Sequence, residues 1–154
     1  MACVTRGYGV AMRISDVLHT KGSQVVTATP DTTVAALLAS LADNGIGSIV
    51  VSTDGTDIVG IVSERDVVRQ LHRSGPSVLD APVSSIMTAT VITCDRDEEL
   101  ESVARTMTDN RVRHIPVVDA DGRLLAIVSI GDIVKHRIDQ LQAERDQLMA
   151  YIQQ

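Results

Sequence analysis

Phenylalanine and tryptophan are missing from the 154 residues, and tyrosine occurs only as Tyr8 and Tyr151. Any core must therefore be built from Val, Ile, Leu, Ala and Met, and the aromatic platforms on which single-stranded nucleic acids stack are lacking. Positive charge is also scarce. Fourteen Lys and Arg against 20 Asp and Glu leave a net charge of −6, the wrong sign for a general nucleic-acid footprint. Cysteine is limited to Cys3 and Cys94, with no CxxC pair and no metal-site spacing, as in a reduced chain with unpaired thiols. No apolar run approaches the roughly 20 residues of a membrane span. The start, MACVTRGYGVAMR, lacks the apolar stretch of a signal peptide. These shortages predict a soluble, cytoplasmic protein that engages neither nucleic acid nor membrane. His19, His72 and His136 are scattered without a carboxylate or Cys at ligand spacing, so they are expected to face solvent and no metal site is expected. G-x-S-x-G, P-loop and G-x-G-x-x-G patterns are absent as well.

What the chain does contain is a second copy of itself. Displaced by 66 positions, Val25–Gln70 lies over Val91–His136 without a gap, and 12 of the 46 pairs are identical. The identities are Val25, Thr27, Asp31, Asp43, Asn44, Ile49, Val51, Ile61, Val62, Ser63, Asp66 and Val68. Most other pairs exchange like for like, as in Val26/Ile92, Val34/Leu100 and Ile46/Val112. A repeat sets the architecture before any local feature does. Two copies of a unit this long predict one compact object with equivalent surfaces facing each other across a pseudo-dyad.

Both copies share one grammar. An extended piece, Val25–Ala28 or Val91–Cys94, leads to a polar start in which Asp31 and Asp97 serve as N-cap or first-turn residues. A helix follows, with apolar positions Val34, Leu37, Leu38 and Leu41, matched by Leu100, Val103, Ala104 and Met107. It should stop near Asn44 or Asn110, where Asn can take a left-handed cap. A hairpin comes next: Ser48–Ser52 and Ile58–Val62 around Asp54-Gly55, or His114–Val118 and Leu124–Val128 around Asp121-Gly122. Ser-x-x-Asp then opens a second helix. Short helical lead-ins, Ile14–Leu18 and Val83–Thr88, precede the units, and Gly75 through Pro82 reads as their connection. The fold class is α/β (α+β), a β-α-β-β-α unit used twice.

Asn44–Val51 followed by Gly60-Ile61-Val62-Ser63-Glu64-Arg65-Asp66 resembles the first of two cystathionine-β-synthase (CBS) domains. Val83–Thr88, Asn110–Asp119 and Leu124–Asp132 resemble the second. The resemblance covers about residues 12–138, and the tail Val134–Ile138 through Tyr151-Ile152 looks like that of small stand-alone CBS-pair proteins. It implies CBS domains over 12–73 and 83–138, a linker over 74–82, a C-terminal amphipathic helix over 139–154 and a flexible N-terminus over 1–11. It further implies two sheets packed face to face as a Bateman module. Such a module binds AMP, ADP or ATP, sometimes S-adenosylmethionine or NAD(H), in two clefts and has no chemistry of its own.

Ser63 and Asp66, with Ser129 and Asp132, are the sharpest site candidates. Ser-x-x-Asp at a strand-to-helix junction is also a capping box. A carboxylate fixed in the first helical turn can nevertheless accept both ribose hydroxyls, with the serine hydroxyl beside it. By resemblance, Asp66 and Asp132 are the ribose clamps. Phosphate calls for cations. The second copy offers Arg111, Arg113 and His114 where the first has Gly45, Gly47 and Ser48, while the first has Arg65 where the second has Gly131. A ligand with its ribose on either Asp is thus expected to direct its phosphates to the dyad, within reach of Arg65, Arg113 and protonated His114. Thr27 and Thr93 are expected beside the base, in a slot that Val26, Val51, Ile92 and Val117 line unless they are simply core.

Val134, Ile138, Leu141, Arg145, Leu148 and Ile152 form an a/d seam in the tail, which either folds back on its own module or packs on a second copy. In the second case Arg145 could pair with Glu144 or Asp146 of the neighbour. The leading function is a non-enzymatic, homodimeric adenine-nucleotide sensor that signals to a separate effector protein. The alternative is a constitutive dimeric scaffold with empty clefts. Redox control through Cys94 and hydrolysis of the nucleotide are further readings, the last without a general base or metal constellation to support it.

Overall fold

The computed structural model describes residues 11–22 and 24–153. The flexible N-terminus expected over 1–11 lies, Ala11 apart, outside the described residues, as does Cys3. The lead-in forms helix α1, Ile14–Lys21. The first unit comprises β1 (Thr27–Ala28), α2 (Val34–Asn44), β2 (Ser48–Val51), β3 (Gly60–Ser63) and α3 (Glu64–Ser74). The second comprises β4 (Cys94–Asp95), α4 (Leu100–Asn110), β5 (His114–Val118), β6 (Leu124–Ser129) and α5 (Ile130–Ile152).

Apolar positions spaced by three and four residues give α2 and α4 one buried stripe each: Val34, Leu37 and Leu41 in one, Leu100, Val103 and Met107 in the other. The caps differ from expectation. Thr33 caps α2, its hydroxyl accepting from Ala36 N–H at 3.2 Å, while Glu99 holds the same position before α4 without a side-chain cap bond. Asp31 and Asp97 therefore lie in the preceding turns. At the other end Asn44 and Asn110 are still helical, and their side-chain amides donate to Ser40 O and Thr106 O, each at 2.8 Å. The left-handed residue comes one position later, as Gly45 (φ 60) and Arg111 (φ 54).

Each unit builds a three-stranded sheet, β1-β2-β3 or β4-β5-β6, with a parallel and then an antiparallel pair. The register repeats: Ala28 opposes Val51 as Cys94 opposes Val117. β1 and β4 are shorter than expected because only two residues of each find a backbone partner. Ile49 and Val51 face the helices, whereas Ser48 and Val50 point the other way and are equally buried. The two units meet at this level, where Leu124 N–H donates to Thr56 O at 2.7 Å and His114 lies against Gly47.

The lead-ins cross over. Ile14 and Val17, which precede the first unit, are sealed in the second core with Leu100, Val103, Ile115 and Val128. Val78 and Val83, which precede the second unit, are sealed in the first core with Val34, Leu37, Ile49 and Val62. The backbone bonds match as well. Leu100 N–H donates to Met12 O and Val34 N–H to Ala81 O, both at 2.9 Å. Burial of each such side chain favours folding by about 1.5–3 kcal/mol, so the crossing ties the two halves together. The connection expected over 74–82 contains a 3-10 turn, Pro76–Asp80, that packs on α2 and α3. The tail is no separate element: α5 runs unbroken for 23 residues from the second unit.

Candidate functional site

Both Ser-x-x-Asp motifs fold as capping boxes. Ser63 N–H and Ser63 Oγ donate to Asp66 Oδ2 at 2.8 and 2.9 Å, while Asp66 N–H donates to Ser63 Oγ at 3.4 Å. In the second unit Ser129 N–H donates to Asp132 Oδ2 at 2.8 Å, and Asp132 N–H to Ser129 Oγ at 3.1 Å. Capping engages only Oδ2 in each case. Oδ1 of both carboxylates makes no hydrogen bond within the described residues, so a ligand hydroxyl can approach a carboxylate already fixed in place.

The two carboxylates have different neighbours. Lys21 Nζ donates to Asp132 Oδ2 at 2.6 Å and to Ile127 O at 2.8 Å. Burial pulls the Asp132 carboxyl upward, but the bonds from Lys21 and Ser129 outweigh it and hold the group below the usual carboxylate range. Asp66 has no ion pair among the described residues. Lys21 lies 111 residues from Asp132, outside the repeat, and nothing in the local sequence marks it.

Arg65 of the first unit meets Arg111 and Arg113 of the second around a cavity of about 400 Å3, with Met107, Thr108, Val112 and Ile130. Among the described residues none of these three guanidiniums is ion-paired. Three cations without an ion pair around one cavity, in a chain of net charge −6, concentrate positive charge there. A second cavity, about 380 Å3 between the start of α1, α4 and α5, contains none of the candidate residues.

His114 sits at the junction of the units. A Cβ on Gly47 would lie 3.3 Å from its Cε1, and Glu64 Oε1 flanks the same point. Burial, then the Lys21 charge and more weakly Arg113, depresses the imidazole below its ordinary value against the opposing pull of Asp132 and Glu64. The shift disfavours the protonated partner expected from the sequence. Its repeat counterpart, Ser48, carries a buried hydroxyl that finds no hydrogen-bond partner among the described residues.

The other candidates divide. Thr27 on β1 and Ser63 on β3 stand on opposite edges of one sheet, and Thr27 is level with Ile61, two residues along β3 from Ser63. Thr93 is exposed just before β4. Val51 and Val117 have no exposure at all and belong to the cores, so no ligand slot can include them, whereas Val26 and Ile92 are only partly covered. His136 is buried against expectation, on the inner side of α5. Burial pushes the Cys94 thiol up to about 12, helped by Glu98 and Asp95, which removes the thiolate that redox control through Cys94 requires. Among the described residues no cluster of three or more His, Cys, Asp or Glu is placed to hold a metal ion, and no helix is long and apolar enough to cross a membrane.

Two units with a shared β-α-β-β-α order, a shared sheet register and twin Ser-x-x-Asp junctions define a tandem-repeat α/β architecture. The family model for the CBS domain matches twice, over residues 14–73 and 83–139, and the chain belongs to the CBS-domain family. It is 35% identical over 148 residues to the mitochondrial CBS domain-containing protein CBSX3 of Arabidopsis thaliana, covering 91% of this chain and 71% of that protein. Among solved structures it is similar to a CBS-domain protein of Agrobacterium tumefaciens. The TM-score is 0.79 at 36% identity, over 82% of this chain and 99% of that one. A CBS-domain protein of Pyrobaculum aerophilum complexed with AMP aligns with TM-score 0.70 at 28% identity, over 79% of this chain and 89% of that one.

Proposed function

We propose that this chain is a non-enzymatic regulatory module that binds an adenine nucleotide, AMP or ATP foremost, and passes a change of shape to a separate effector protein. The observation that carries the reading is the convergence of Arg65, Arg111 and Arg113 from both units on one cavity beside the two Ser-x-x-Asp junctions. Ribose hydroxyls bind Asp66 or Asp132, phosphate binds the arginines, and Thr27 or Thr93 lies towards the base. The AMP complex of the Pyrobaculum relative supports the ligand class. NAD(H) and S-adenosylmethionine are the competing ligands. A cytoplasmic setting is part of the same proposal, although the Arabidopsis relative is named as mitochondrial. The energy available for signalling is the difference in ligand affinity between two conformations.

The Arg113→Ala variant tests the phosphate assignment. A charge-assisted bond is worth about 1.5–3 kcal/mol, so AMP and ATP should lose about tenfold to a hundredfold in affinity while adenosine changes little. Equal losses for all three ligands sink the assignment.

A homodimer completes the proposal. Every described residue from 141 to 153 is exposed, and the seam residues Val134, Ile138, Leu141, Leu148 and Ile152 are 48–75% exposed. The tail does not fold back on its own module, and Arg145 pairs with Asp146 of the same chain at 2.7 Å. An isolated helical stretch of this length is marginal in water, so the seam points to a second copy.

A further inference from the structure

Lys21 has no counterpart in the repeat; 66 positions on stands Met87. The two lead-in segments nevertheless reach the same strand of their respective sheets. Beside the first unit Thr88 pairs with Ile61 through two backbone bonds, Ile61 N–H to Thr88 O at 3.0 Å and Thr88 N–H to Ile61 O at 2.9 Å. The Met87 side chain lies against Gly60 there. Beside the second unit, among the described residues, no backbone bond from the lead-in reaches Ile127, the repeat counterpart of Ile61. The Lys21 side chain takes its place, bonding Ile127 O and Asp132 Oδ2 together. One cleft is thus edged by backbone and a thioether. The other is edged by an ammonium seated on the very carboxylate expected to hold ribose.

We propose that Lys21 sets the ligand preference of the second cleft, admitting phosphorylated nucleosides and disfavouring uncharged ones. The assignment rests on the nucleotide-binding reading above. A ribose whose two hydroxyls take both carboxylate oxygens of Asp132 needs Oδ2 as well as the free Oδ1, and so competes with the ammonium seated on Oδ2. An uncharged nucleoside leaves the displaced ammonium without an anion. A phosphate replaces the lost partner: His114 pairs with Ser129 across the hairpin and Ile130 N–H donates to Arg113 O, so the junction on which Lys21 sits adjoins both residues. With its side chain 38% exposed, Lys21 has room to swing, and its compact ammonium needs no fixed fork geometry to re-pair.

The test is calorimetric titration of AMP and adenosine into the full chain carrying Asp66→Asn, which removes the first carboxylate but leaves an oxygen for the cap. The same titrations are run with Lys21→Met and with Lys21→Gln added. Both additions should strengthen adenosine and weaken AMP, cutting the preference for AMP by about tenfold or more. An unchanged ratio with AMP still bound overturns the Lys21 assignment alone. Wild-type behaviour in Lys21→Gln does the same, because it shows that charge is not the determinant. Failure of both ligands to bind even the wild-type chain overturns the nucleotide reading and this one together.

Discussion

Arg111 occupies a backbone conformation that suits glycine. Its φ of 54 matches the φ of 60 at Gly45, its repeat counterpart. For a residue with a Cβ this left-handed conformation costs about 1–2 kcal/mol, a strain that persists only where something else depends on the residue. Arg111 lines the arginine cavity, and the strain is consistent with a side chain kept there for a ligand. Arg111→Gly should therefore raise the unfolding free energy by about 1 kcal/mol and weaken AMP binding at the same time. A urea melt and an AMP titration on one preparation check both signs. If stability and binding fall together, Arg111 is a structural residue. The sequence showed the arginine but not its strain, because φ depends on where α4 ends, one residue later than Asn110 suggested. Lys21 was further out of reach, since only the crossed lead-in carries it to Asp132.

The elements were legible to different degrees, and for physical reasons. α2, α4 and the four hairpin strands follow from apolar spacing and from turn residues that act locally. β1 and β4 shrink to two residues each because strand length is set by a partner and not by composition. The destination of the lead-ins was not legible at all: an amphipathic segment shows that it needs a core without showing which one. Gly60 is where the crossing is most exacting. A Cβ there would stand 2.6 Å from Met87 Sδ and 3.0 Å from Thr88 O, and the second of these is backbone. Gly60→Ala should displace the Met87–Thr88 segment from β3 and cost about 1–3 kcal/mol. Trimming Met87 to Ala should restore only part of that loss, because Thr88 O stays in the way. A wild-type unfolding midpoint for Gly60→Ala contradicts the crossed packing.

At the scale of the whole molecule, internal symmetry is strong in the backbone and broken in the chemistry. The repeat gives two capping boxes, but Lys21 is placed on only one, and Arg65 comes from one unit while Arg111 and Arg113 come from the other. The proposed dimer interface lies outside this pseudo-dyad, along the exposed face of α5. Glutamates at Leu141 and Leu148 should convert a dimer into a monomer in sedimentation velocity without changing the circular dichroism of the folded body. A wild-type chain that sediments as a monomer contradicts the proposed pairing. The central claim is that an adenine nucleotide is held by Asp66 or Asp132 with its phosphate on the arginines. The most direct measurement is titration of nucleotide-stripped protein with AMP, alongside Asp66→Ala and Asp132→Ala. The account predicts saturable binding to the wild type that is lost in at least one of the two variants. Heats of dilution alone from the wild type, or binding that survives in both variants, would contradict it and leave the two Ser-x-x-Asp motifs as helix caps in a constitutive scaffold.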